Sequence, residues 1–572
     1  MYKKYLNLTG GEILYRKLIE NKIKHVFGYI GGCNLGLIDP FYKSKDIKFI
    51  STINEAGAGH MAQGYARALQ KHGIVFGTSG PGSTNLVTSI QDAMLDSTPV
   101  IYVTGQVKSH LLGTDAFQEC NIIDITKSCT KWNHQVKHIK DLIPTINKAL
   151  NISINDRPGP VLIDICKDVS MNKLTQIDIN NIPSYFNINK DKLNNNILIK
   201  DAANLINNAT KPILYVGQGG LSASKEITKL AKLANIPVTT TYLGLGAFNE
   251  NNKLSLEMLG MHGSYAANNA MQQSDLVIAV GARWDDRVTA NLEKFIPIAK
   301  EASKNKTGGV IHIDISNKEL NKLVKADVAI NGLSKDILQQ LLPYIKKNKN
   351  KDWLDQINKW KKKYPFSYNK DKNGKLKGQQ VIEEIYKQTK NNKNIIITAD
   401  VGQNCMWGSQ FYKYTKPYSF IASGSLGTMG TSMPFGIGAK IAKPNHTIIS
   451  ITGDGGMNMI MQELMTAVKY NINIKVIILN NSCLGMVVQW IDIYNKGRQT
   501  TTTDLAKIDY VKFAKSVGCK GLTCKSEKNL KSTIKEILNY NDGPIICNFD
   551  IEYDKVLPFV ESHKSLDDMI LK

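Results

Sequence analysis

Two short runs, "GDGG" at 453–456 and "NN" at 480–481, carry the residue types of a metal–phosphate site. Asp454 offers a carboxylate, Asn481 an amide oxygen, and the backbone around them carbonyls. Such hard oxygens suit Mg²⁺, which wants about six ligands near 2.0–2.1 Å and usually takes some of them from phosphates. Gly455 and Gly456 let the backbone approach a phosphate, and the start of a following helix favours negative charge. A Gly-Asp-Gly run alone is equally a plain tight turn, so its meaning depends on what connects it to the asparagines.

The connection is one βαβ unit. "TIISIT" (447–452) reads as a strand, "MNMIMQELMTAVKY" (457–470) as a helix with apolar residues at helical spacing, and "IKVIILNN" (474–481) as the next strand. Parallel strands put Asp454 and Asn481 at one carboxyl edge, where open α/β sheets bind ligands. Glu55 is a second candidate, in "INEAGAGHMAQGYARA" (53–68) after the strand "FISTI". In a dry cleft its carboxyl could hold a shared proton, because burial favours the neutral form. A glutamate at a helix start also suits the helix dipole without any catalytic duty.

Short β-rich runs alternate with amphipathic stretches along the chain, the pattern of parallel α/β domains. One set includes "IKFISTI", "IVFGTS" and "PVIYVTG"; a second "KPILYVGQ", "IPVTTTY", "DLVIAVGA" and "GVIHIDI"; a third "NIIITAD", "TIISITGDG", "KVIILNN" and "PIICNFD". Polar segments near 172–200 and 345–378 separate the sets and read as linkers. The expected fold class is therefore α/β, with three domains that each have a parallel sheet flanked by helices. The expected bounds are 1–175, 190–345 and 375–555, with a C-terminal tail at 556–572.

The 572 residues carry a formal net charge of +23. Their lysines are scattered among asparagine and isoleucine, as in "NKIK" and "NNKNIII", which reads as a solvated basic surface; no nucleic-acid partner is expected. No apolar run approaches the ~18–20 residues that cross a bilayer, and the N-terminus shows no signal-peptide pattern, so no membrane association is expected. The nine cysteines include no C-x-x-C pair, which implies free thiols in a reducing, cytoplasmic setting.

The Gly-Asp-Gly run with its Asn-Asn one strand later resembles the signature of thiamine-diphosphate (ThDP) enzymes. The resemblance covers essentially the whole chain and is greatest for the catalytic subunit of acetohydroxyacid synthase, also called acetolactate synthase. It rests on "VFGYIGG" (26–32), "TSGPGSTNLVT" (78–88), "TGQVKSHLLGTDAFQE" (104–119), "RPGPVLIDICKDV" (157–169), "MLGMHGSYAANNA" (258–270), "GARWDDRVT" (281–289), "VGQNCMWGSQFY" (401–412) and "LGMVVQW" (484–490).

The resemblance implies a pyruvate oxidase/acetolactate synthase-like fold and the following roles. Asp454, Asn481 and the Cys483 carbonyl would hold Mg²⁺ on the ThDP diphosphate, and Glu55 would activate the cofactor. Gly32, Gln118 and Lys167 would line the active-site channel. Gln403, Asn404, Met429, Gly455, Gly456 and Met486 would contact ThDP. Phe117, Val487 and Trp490 would shape the substrate pocket, with Trp490 favouring 2-oxobutanoate over a second pyruvate. Arg157, His262, Arg283, Arg287 and Asp314 would bind FAD. Active sites would lie at the interface of a homodimer or homotetramer, and a separate small regulatory subunit would fit the family. Another ThDP enzyme of this fold, or a non-catalytic relative, are the alternatives. Ile30, Asn404, Trp284 and Leu333 depart from the usual Pro, His, Phe and Asp.

Overall fold

The computed structural model describes residues 2–183, 195–348, 350–371, 374–499 and 503–571. The runs of Ile, Val and Phe picked out above are all strands, joined by further ones that the sequence did not mark, and the central strands are buried along most of their length. Val100–Gln106 is one such strand. That is the mark of parallel sheets covered by helices on both faces.

The first sheet contains β1 (His25–Gly28), β2 (Lys48–Ser51), β3 (Gly73–Gly77), β4 (Val100–Gln106), β5 (Trp132–Val136) and β6 (Val161–Cys166). The second contains β7 (Pro212–Val216), β8 (Val238–Thr240), β9 (Ser255–Met258), β10 (Leu276–Val280), β11 (Gly309–Asp314) and β12 (Val328–Asn331). The third contains β13 (Ile395–Ala399), β14 (Phe420–Ala422), β15 (Thr447–Gly453), β16 (Lys475–Asn480), β17 (Lys520–Cys524) and β18 (Ile545–Asp550). All three are six-stranded and parallel. The chain thus folds into three α/β domains.

The first and third sheets share one winding, β2-β1-β3-β4-β6-β5 and β14-β13-β15-β16-β18-β17. The middle sheet runs β9-β8-β7-β10-β11-β12, the order of dinucleotide-binding sheets. The winding reverses direction between β1 and β3, between β7 and β10, and between β13 and β15, and the first and third sheets turn back once more at β5–β6 and β17–β18. Ligands of open sheets bind at the carboxyl side of such reversals.

Three expectations need correction. The helix expected from Met457 begins at Asp454, runs to Ile460, tightens into a 3₁₀ turn over Met461–Glu463 and resumes over Leu464–Lys469. The segment 345–378 is not only a linker, because Lys351–Lys363 is a helix docked on the middle sheet. Its Trp353 is buried and donates from Nε1 to the Pro212 carbonyl at 3.1 Å. Trp353, Ile357 and Trp360 form an apolar stripe that the surrounding lysines obscure in the sequence. The C-terminal tail, over its described residues 556–571, is a strap on the middle domain: Val560 N–H donates to Met261 O at 2.9 Å, and Leu566 is fully buried. Part of the other expected linker, residues 184–194, lies outside the described residues.

First and third domains join through the Glu55–Leu69 and Ser432–Ala442 helices, whose glycines bring backbone onto backbone. A Cβ on Gly438 would lie 1.9 Å from Met61 O, and one on Gly64 would lie 2.2 Å from Phe435 O. Neither backbone can yield without parting the helices. Gly438→Ala is therefore expected to cost about 1–3 kcal/mol of stability by overpacking. An unchanged denaturation midpoint would show that the crossing is looser than described.

Candidate active site

β15 ends at Gly453, and Asp454 opens the next helix. Its Oδ1 accepts the Gly455 N–H at 2.9 Å, whereas its buried Oδ2 has no hydrogen-bond partner. Burial pushes this carboxyl up to about 6. Asn481, one residue past β16, turns its side chain into the same space: its Oδ1 accepts Cys483 N–H at 3.3 Å and its Nδ2 donates to Gln403 Oε1 at 3.4 Å. Burial raises the Cys483 thiol to about 11, so it is protonated in the metal-free protein, and the backbone carbonyl of that residue is the hard oxygen donor that Mg²⁺ prefers to sulfur. A lone carboxylate oxygen beside an amide oxygen and a carbonyl fits Mg²⁺ that completes its shell from phosphates and water.

These residues line one continuous cavity of about 1020 Å³ that reaches from the third domain into the middle one. Gln403, Asn404, Met429, Gly455, Gly456, Met486, Val487 and Trp490 border its third-domain half. Asn404 donates to Asp400 O at 3.0 Å, back to the turn that precedes its helix. Arg157, His262, Arg283, Arg287 and Asp314 border the other half.

That second half sits at the reversal between β7 and β10. There Gly281, at φ +54, packs so closely that a Cβ would lie 2.4 Å from the Gly219 carbonyl carbon. A bare glycine turn at the reversal of a 3-2-1-4-5-6 sheet fits a dinucleotide such as FAD. Arg157 is already held by Ser97, Glu319 and the Leu95 carbonyl. Arg283 donates to Ser425 Oγ at 2.7 Å. His262 is lowered to about 4 by burial and is neutral near pH 7. Asp314 is raised by burial although it accepts Ser316 N–H at 2.7 Å. Trp284 packs among Tyr215, Phe295 and His312, so this departure is absorbed by the core. Leu333 stands half-exposed at the rim. The Arg287 guanidinium lies 5.0 Å over the Trp490 ring, on the border between the halves.

The remaining expected residues do not line this cavity. Gly32, Glu55, Phe117, Gln118 and Lys167 follow β1, β2, β4, β4 and β6, so they gather at the carboxyl edge of the first sheet. Glu55 is buried and accepts a hydrogen bond at Oε2 from Asn85 Nδ2, 3.0 Å away. Phe117 is 89% exposed, and Gln118 holds a left-handed φ of 64°. One chain thus presents the expected site residues in two separate clusters.

Sequence reasoning missed Asn85 and three buried aspartates, Asp92, Asp96 and Asp400, that pin the loop on both sides of Met429. Asp92 and Asp96, one turn apart at the end of a short helix whose Ile90, Ala93 and Leu95 are apolar, were the available signal.

Family models of the thiamine pyrophosphate enzyme match this chain in three places. The N-terminal TPP binding domain matches residues 8–125, the central domain 199–341 and the C-terminal TPP binding domain 400–549. Fold and site together define a thiamine pyrophosphate enzyme. Similar proteins include the mitochondrial acetolactate synthase catalytic subunit of Saccharomyces cerevisiae, 42% identical over 99% of this chain and 84% of that one. The acetolactate synthase large subunit of Buchnera aphidicola is 40% identical over 96% of this chain and 95% of its own. The acetolactate synthase of Mycobacterium bovis is 39% identical over 98% and 91%. This chain belongs to the acetolactate synthase family.

Because Asp454 is raised from 3.8 to about 6, its burial penalty is absent below both values, grows between them and is complete at pH 7. The metal-free protein should lose on the order of 3 kcal/mol of stability across that interval. Asp454→Asn is expected to abolish Mg²⁺-dependent ThDP binding, yet leave the metal-free protein at pH 7.5 as stable as wild type or more so. A metal-free variant that melts below wild type would contradict this reading of Oδ2.

Proposed function

We propose that this chain is an acetohydroxyacid synthase. It decarboxylates pyruvate and joins the two-carbon remainder to the keto carbon of a second 2-oxo acid. A second pyruvate gives 2-acetolactate, 2-oxobutanoate gives 2-aceto-2-hydroxybutanoate, and each condensation releases one CO₂. The observation that carries this reading is the unpartnered Asp454 Oδ2, set beside Asn481 in a cavity that also holds Arg287 and Trp490.

ThDP, when bound, supplies the electron sink that stabilises the carbanion left as CO₂ departs. Asp454, Asn481 and the Cys483 carbonyl would hold its Mg²⁺. Gln403, Asn404, Gly455, Gly456, Met429 and Met486, which line the same cavity, would contact the cofactor. Asn85 occupies Glu55 Oε2, which leaves Oε1 to hold and return the proton that cofactor activation requires. The planar fork of Arg287 suits the carboxylate of the acceptor acid, while the Trp490 face beneath it packs the alkyl end. Arg157, His262, Arg283 and Asp314 would border an FAD, whose role would be architectural, since the condensation transfers no net electrons.

Glu55, Gly32, Phe117, Gln118 and Lys167 act, in this reading, on the cavity of a partner subunit, so the working unit is at least a homodimer, which a homotetramer would contain twice. The names "catalytic subunit" and "large subunit" borne by relatives support a separate regulatory subunit here as well. No helix among the described residues is long and apolar enough to cross a membrane. All nine cysteines are free thiols, which suits a reducing compartment; we propose the cytoplasm, although the name of the yeast relative places that protein in mitochondria.

Purified protein with ThDP, Mg²⁺ and FAD should make acetolactate from pyruvate alone and mainly 2-aceto-2-hydroxybutanoate once 2-oxobutanoate is added. Absence of both products would sink the proposal. Trp490→Leu is expected to cut the preference for 2-oxobutanoate roughly tenfold or more, because one methylene in an apolar pocket is worth about 1–3 kcal/mol. A preserved product ratio would remove Trp490 from the acceptor site.

A further inference from the structure

The loop 423–430 runs between the two halves of the cavity and carries Met429. Buried aspartates from two other elements hold nearly all of it. Asp96 takes two consecutive backbone amides on separate oxygens: Gly424 N–H donates to Oδ2 at 2.8 Å and Ser425 N–H to Oδ1 at 2.9 Å. Asp92, one turn earlier on the same first-domain helix, accepts from the Ser423 and Thr428 hydroxyls. Asp400, after β13, accepts Gly430 N–H at 2.9 Å. Met429 is thereby fixed from both sides.

The same short stretch is a junction of all three domains. Arg67 of the first domain donates to the Ala422 carbonyl at 2.7 Å and lies 3.6 Å from Asp96 Oδ2. Gln218 of the middle domain donates to the Asp96 carbonyl at 2.9 Å. Arg283, also of the middle domain, donates to Ser425 Oγ. Ser425 is therefore held at its backbone by Asp96 and at its side chain by a residue bordering the dinucleotide half.

A fully buried carboxylate is costly unless its bonds are complete. Asp96 and Asp92 are both fully buried; Arg67 pairs with Asp96 alone, and Asp92 Oδ2 has no hydrogen-bond partner. Such an expense at one loop points to a positional task. We propose that Asp96 is a positioning residue: through Ser425 it couples occupancy of the dinucleotide half of the cavity to the placement of Met429 in the thiamine half. Resting on the function proposed above, this gives the flavin a task that needs no electron transfer. A ligand that orders Arg283 orders Ser425, and Asp96 passes that order along a loop already clamped at 423, 428 and 430.

The test is a binding cycle on the full-length apo protein, with ThDP and Mg²⁺ titrated by quenching of intrinsic tryptophan fluorescence, with and without saturating FAD. Wild type is expected to bind ThDP several-fold more tightly when FAD is present, about fivefold or more for a coupling of ordinary size. Asp96→Asn keeps the shape but turns an amide NH₂ toward one of the two N–H groups, so the ratio should fall close to one. Ser425→Ala removes only the partner of Arg283 and leaves both Asp96 bonds. It should also abolish the ratio, while ThDP affinity without FAD stays near wild type; this arm stands even if Asp96→Asn folds poorly.

Equal ThDP affinity with and without FAD in wild type would overturn the coupling, as would a wild-type ratio in Ser425→Ala. A merely structural Asp96 would weaken binding in both conditions alike and leave the ratio unchanged, which also overturns it. Wild-type protein that binds neither ThDP nor FAD would overturn the functional reading itself and this inference with it.

Discussion

The arrangement of this chain depends on one close approach, the crossing of the Glu55–Leu69 and Ser432–Ala442 helices at Gly64 and Gly438. Those glycines let first and third domains meet backbone to backbone, and the fit leaves no room for sliding. Glu463, buried just beyond the Asp454 helix, adds a second tie by accepting the N–H groups of Ile53 at 3.2 Å and Asn54 at 2.9 Å. The turn that carries Glu55 is thus bolted to the third domain of its own chain, yet Glu55 does not border that domain's cavity. A rigid joint holds two chemically complementary groups in separate places, and a second copy of the chain is the simplest way to bring them together.

A similar economy governs the cavity. Its two halves sit at the strand-order reversals of two different sheets, one suited to a metal-bound diphosphate and the other to a dinucleotide. The wall between them is a loop held by buried carboxylates rather than by apolar packing. Carboxylates impose direction, since each oxygen must meet a donor, so they fix a loop more sharply than a hydrophobic contact would. The arginines on the dinucleotide side then have a rigid partner to act against.

Much of this was legible in the sequence, for identifiable reasons. Central strands such as β4, β10 and β16 announce themselves as unbroken apolar runs because both faces are covered. Edge strands such as β5, with its "WNHQV", do not, because half-exposed positions admit polar residues. The Lys351–Lys363 helix was hidden by composition: its apolar stripe is only Trp353, Ile357 and Trp360. Asp454 and Asn481 could be paired because a single βαβ unit fixes their relation. Asn85 and Asp96 could not, since each acts on a residue whose proximity only the tertiary fold creates. The two half-sites of one chain were likewise expected only through family resemblance; no local pattern says which way Glu55 faces.

The central claim is that each active site takes Glu55 from one chain and Asp454 from another. It is tested most directly by mixing Glu55→Ala and Asp454→Ala chains, each inactive alone, under conditions that allow subunit exchange. In a symmetric dimer half of the mixed population is heterodimeric and each heterodimer regains one intact site, so activity should return to about a quarter of wild type. Complete exchange, shown by tagged chains, with no recovery of activity would contradict the account.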